Sequence, residues 1–170
     1  MAPRVSRISV EEKGQMAARN TDAYVNEAGM KEIAVCTECK ALYWNKRWYL
    51  DESVSTGLSN DMIRKEVLCP ACHRIHDNNP AGIVTYSGDY LLKHKVEIIN
   101  TIKNSEEKAR MKNPLARIMD IKEDQGSMIV STTDDKLAQK LGRDIYKAHS
   151  GSLEYRWSRE NNFLRVNWNR

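Results

Sequence analysis

The chain has 170 residues with 27 Lys+Arg against 23 Asp+Glu, a formal charge of +4, and 41% hydrophobic and 29% charged side chains. That is the composition of an ordinary globular protein, which excludes a collagen-like chain and wholesale disorder. No run reaches the ~18–20 apolar residues of a membrane span, and the first twenty residues lack the apolar stretch of a secretory signal, so a soluble, cytoplasmic chain is expected.

Residues 1–32 read as a partly disordered N-terminal arm. Ser9-Val-Glu-Glu12 matches a capping box that would start a helix near residue 10, but Val10 and Met16 are the only sizeable apolar side chains it offers.

Residues 33–82 carry all four cysteines, as Cys36-Thr-Glu-Cys39 and Cys69-Pro-Ala-Cys72. A Cys-x-x-Cys turn sets two thiolates close enough to ligate one ion, and two such turns close a tetrahedral shell around Zn²⁺. Two pairs with no cysteine left over favour one structural zinc over a redox dithiol or an iron–sulfur centre. His73 and His76 follow directly. Either could replace a thiolate, but four sulfurs suffice, and the simpler reading leaves both on the surface. Ala41-Leu-Tyr-Trp44 and Arg47-Trp-Tyr-Leu50 read as short strands about a tight Asn45-Lys46 turn, and Asp77 to Gly82 as the turn cluster that ends the ribbon.

Residues 83–114 are expected to be a connecting helix. Leu91, Leu92, Val96, Ile99 and Ile102 recur at helical spacing from Asp89, Asn113-Pro114 stops the helix, and its charged second half is expected to project into solvent.

Residues 115–170 read as a β-β-α-β-β antiparallel unit. Strands Arg117–Lys122 and Ser127–Ser131 flank a turn. Thr133 or Asp134 caps a helix with Leu137, Leu141, Ile145 and Ala148 on its apolar face, and strands 153–157 and 163–168 close the unit. The expected class is therefore α+β: a small zinc ribbon, a connecting helix and a C-terminal sheet.

Residues 126–170 hold 8 Lys+Arg against 5 Asp+Glu. Arg156, Arg159, Arg165 and Arg170 interleave with Tyr155, Trp157, Phe163 and Trp168. Arginine binds phosphate bidentately and an exposed ring stacks on an unpaired base, so Arg156, Arg159, Phe163 and Arg165 are the candidate RNA-binding residues. Strand alternation allows a plainer reading, with Leu153, Tyr155 and Trp157 on the core face and Arg156 merely solvated. A different use of the chain would make Tyr43, Trp44, Trp48 and Tyr49 of the ribbon a contact patch for a protein partner. An enzyme is the least expected class. There is no GxSxG, HExxH or phosphate-binding glycine loop, His94 and His149 fit surface and helix-end roles, and no small-molecule substrate is implied.

The paired knuckles, the helix containing His94-Lys-Val-Glu-Ile-Ile, and the Gly126–Trp168 unit with Ser131-Thr-Thr-Asp-Asp before its helix resemble the bacterial relatives of the large-ribosomal-subunit export adaptor, over residues 33–170. The resemblance implies association with RNA or a ribosomal particle, and it transfers Cys36, Cys39, Cys69 and Cys72 as metal ligands. The chain differs from the full-length adaptor in having two CxxC pairs only and no evident export signal.

Overall fold

The computed structural model describes residues 23–24, 33–50, 65–158 and 163–170. Apart from Ala23 and Tyr24, the expected N-terminal arm lies outside the described residues. The class is α+β, with three helices and two mixed sheets among the described residues.

The first sheet contains β1 (Ala34–Cys36), β2 (Leu42–Trp44), β3 (Arg47–Tyr49) and β4 (Lys65–Val67), in the order β3-β2-β1-β4. The β2–β3 hairpin turns through Asn45 and Lys46, both at positive φ (47° and 64°), the geometry whose twist suits a two-residue hairpin. β1 pairs antiparallel with β2 but parallel with β4, in the register Cys36↔Val67. Helix α1 (Pro70–His76) follows at once, with proline in its first turn, where a missing N–H costs nothing.

The second sheet holds β5 (Gly82–Ser87), β6 (Ile118–Asp124), β7 (Ser127–Thr132), β8 (Ser152–Ser158) and β9 (Phe163–Asn169), ordered β6-β7-β5-β9-β8. Two expectations are corrected here. Gly82–Ser87, read as the end of a turn and the start of a connector, is the central strand. It pairs antiparallel with β7 and parallel with β9, so the sheet is five-stranded and mixed rather than antiparallel. Ile83, Val84, Thr85 and Tyr86 are strong strand formers. Their run is too short, and too near the following helix, to stand out.

Helices α2 (Asp89–Lys112) and α3 (Asp135–His149) pack on one face of this sheet. Val84, Tyr86, Met128, Val130, Leu164, Val166 and Trp168 meet Leu91, Ile98 and Ile102 of α2 and Leu137, Leu141 and Ile145 of α3 in a single core. α3 lies close to the strands because two glycines leave room. A Cβ on Gly82 would come within 2.5 Å of Ala138 Cβ, and one on Gly142 within 2.5 Å of Val166 Cγ1.

The expected faces of both helices shift. On α2, Leu91 and Ile102 are buried and Ile99 packs on the core as expected, but Leu92 and Val96 are 63% and 72% exposed, and Ile98 and Ser105 are buried as well. Backbone angles at His94 (φ −117°, ψ 22°) break the helical repeat between the outward-facing Leu92 and Val96. The second half of α2 does not simply project into solvent: Ser105 donates to Asp144 of α3 at 2.8 Å, and Glu106 accepts the Ile118 N–H at 2.7 Å. On α3 the last inward position is His149, not Ala148. Its Nδ1 meets the Tyr90 hydroxyl at 3.2 Å, so it is a packed ring rather than a surface partner of the helix end.

Candidate metal centre

Cys36 ends β1, and the chain turns back through Thr37 to Cys39 with Lys40 in the left-handed region (φ 59°). The Cys36 N–H donates to Ala41 O at 2.8 Å and closes that turn. Cys69 follows β4 and caps α1, its sulfur accepting the Cys72 N–H at 3.4 Å. The two turns meet because β1 and β4 run side by side. Thr37 N donates to Val67 O at 2.9 Å, and Cys69 N reaches Cys36 Sγ at 3.3 Å. Strand pairing thus does for the distant pair what the CxxC turn does locally.

The four sulfurs lie within 4.8 Å of one another, all as free thiols, and Cys39 Sγ is 3.6 Å from Cys69 Sγ. A tetrahedral ion with bonds of about 2.3 Å needs sulfurs about 3.8 Å apart. Cys36, Cys69 and Cys72 are buried and Cys39 is half-buried, among Ala41, Ala71, Leu68, Trp48 and Leu115. This soft, dry donor set fits a metal ion. Among the thiols themselves, the Cys69 hydrogen bond holds Cys39 down to about 4. That same bond, with burial, pushes Cys69 up, and burial raises Cys72. A cation at the centre favours thiolate at all four.

Two further features were invisible in the sequence. The guanidinium of Arg117, at the entry to β6, donates to Cys72 Sγ at 3.2 Å. Arg117 is in turn tied to Thr133, which accepts its N–H at 2.9 Å and donates its own N–H to Arg117 O at 2.9 Å. Tyr24 is docked on α1, its hydroxyl donating to Asp77 at 2.9 Å and accepting from Asn79 at 3.1 Å, with the Arg74 guanidinium 4.5 Å from its ring centre. Neither contact has a spacing signature. His73 and His76 stand outside the sulfur cluster: His73 faces Asp77 and Tyr24, and His76 lies 3.0 Å from Glu38.

The candidate RNA-binding residues divide. Arg156 and Arg165 are direct cross-strand neighbours on β8 and β9, both exposed, on the sheet face opposite α2 and α3. Phe163 shares that face, and Arg165 lies 4.9 Å from its ring centre; Arg156 is 3.5 Å from Glu154. Arg159 lies outside the described residues. The other aromatics point inward. Trp168 is fully buried, Tyr155 packs on the core, and Trp157 shares their side with 41% exposure. Arg170 is held over Tyr90 at 4.2 Å and donates to His149 O. In the first sheet only Trp44 of the four aromatics is open (44%); Tyr43 is buried against Trp48 with ring centres 5.2 Å apart.

Fold and site together define an α+β protein with a largely buried four-cysteine cluster able to hold a metal ion, and no described helix is long and apolar enough to cross a membrane. No family model matches the sequence, and comparison with curated proteins and with solved structures finds no significant match.

Proposed function

We propose that this is a non-enzymatic, cytoplasmic zinc protein that associates with RNA, in keeping with its resemblance to the ribosomal export adaptor's bacterial relatives. Four thiolates in tetrahedral reach are the usual donor set of a structural zinc, and a shell closed by four sulfurs leaves no position for a reacting water. The metal's role is structural: it ties together two short turns in a module too small to bury a sufficient core of its own.

The observation that carries the RNA reading is the Arg156–Arg165 pair beside Phe163 on a sheet face that α2 and α3 leave uncovered. Two guanidiniums can each grip a phosphate, while the stacked Arg165 plane and the ring edge offer a platform for an unpaired base. With the double variant Arg156→Ala/Arg165→Ala, co-sedimentation with ribosomal particles at low salt should fall, and the salt slope for a single-stranded RNA should drop by about 1.4, two contacts at ~0.7 each. Undiminished association would overturn the reading and leave a protein-adaptor role. The adaptor role draws less support, because Tyr43 is buried and packs on Trp48 with ring centres 5.2 Å apart, which leaves less aromatic surface open.

A further inference from the structure

A further row of cations lies elsewhere, on the outer side of α3. Leu137, Ala138, Leu141, Gly142 and Ile145 face the core. At 3.6 residues per turn, Lys136, Lys140, Arg143 and Lys147 fall within an arc of about 60° directly opposite, at successive rises of about 6, 4.5 and 6 Å. Lys140 is tied to Asp144 at 2.5 Å, whereas Lys136, Arg143 and Lys147 are exposed and make no ion pair with the described residues. Burying the apolar side of α3 in the core leaves nothing to insert into a lipid layer, so the stripe can act only through charge. Four cations spread over about three turns suit a polymer of regularly spaced negative charges.

We infer that the outer stripe of α3 is a second RNA-backbone surface, on the opposite side of the domain from Arg156 and Arg165, so that the domain bridges two RNA segments. The bridging half rests on the sheet-face reading above; the stripe itself does not. A domain with phosphate contacts on both sides is suited to sit within folded RNA rather than on its outside, where one face would suffice.

The test uses the full chain with zinc bound and an oligouridylate of about 20 nucleotides, long enough for one site. The variant Lys136→Gln/Arg143→Gln/Lys147→Gln changes only exposed side chains and keeps good helix formers. Circular dichroism and metal content verify its fold. Its salt slope should fall by about 2, three contacts at ~0.7 each, with affinity at low salt down ~10-fold or more. Wild type, once sedimentation has verified a monomer, should also capture a second, fluorescent oligouridylate on beads carrying the first, and either variant should lose that capture. Unchanged affinity and slope in the α3 variant overturn the inference, as does its loss of binding only to vesicles of phosphatidylserine and phosphatidylcholine. If the α3 variant loses RNA while Arg156→Ala/Arg165→Ala binds as wild type, the stripe stands and the sheet-face reading falls. If wild type binds no RNA, both fall.

Discussion

At the scale of single residues, Asp134 shows how position alone changes a side chain's chemistry. It caps α3, accepting the Leu137 N–H at 3.2 Å. Burial, and then the neighbouring charge of Asp135, push its carboxyl up from 3.8 to about 6. The folded state therefore binds this proton more tightly than the unfolded chain. The resulting stability is fully present below about pH 4 and is lost as pH rises through about 6, to a total of up to about 3 kcal/mol. Asp134→Asn keeps a good cap and removes the titration. Relative to wild type, this variant should gain thermal stability between pH 4 and pH 7. A melting-temperature difference that stays flat over that range would show that the carboxyl is not held up.

At the scale of elements, α3 is the piece whose placement depends most on what is missing. Gly142 sits mid-helix, a position where glycine is normally unfavourable. It is there because Val166 Cγ1 and Leu153 Cδ1 occupy the space a Cβ would need, at 2.5 and 3.1 Å. Gly142→Val should lower unfolding free energy by about 2–3 kcal/mol, since gained helix propensity is smaller than the cost of pushing α3 off β9. Denaturant unfolding measures it, and a neutral result would mean that the helix can slide outward freely. α2 teaches the complementary lesson. Its ends and length are readable from Asp89 and Asn113-Pro114, and Leu91 and Ile102 fall inward as their spacing predicts, but Leu92 and Val96, on either side of the non-helical residue His94, face outward.

At the scale of the molecule, two hydrophobic clusters share no buried residue: one around the sulfurs, the other between the five-stranded sheet and its helices. They are joined where Leu115 packs on the cysteine cluster and Arg117 reaches Cys72. Chelating the metal should therefore abolish amide-exchange protection in residues 33–50 and 65–76 and largely preserve it in 82–158 and 163–170. Arg117→Ala should weaken metal binding by about 10- to 100-fold in chelator competition, because a buried, negatively charged sulfur site loses its nearest guanidinium. Cooperative unfolding of the whole chain on chelation would instead mean that the two clusters act as one core.

The sequence by itself determined what depends on neighbours along the chain. The CxxC turns, the Asn45-Lys46 hairpin, a cap at Thr133 or Asp134, the strict alternation of β8 and the proline that stops α2 are all local geometry, set by a handful of adjacent residues. What only the tertiary structure decided depends on residues far apart. β5 becomes the central strand because β7 and β9 both pair with it. The two knuckles meet because β1 and β4 run in parallel, and a guanidinium 45 residues from Cys72 completes the sulfur site. Parallel pairing and long-range hydrogen bonds leave no periodic trace in a sequence, since either partner alone reads as an ordinary short strand or a solvated charge.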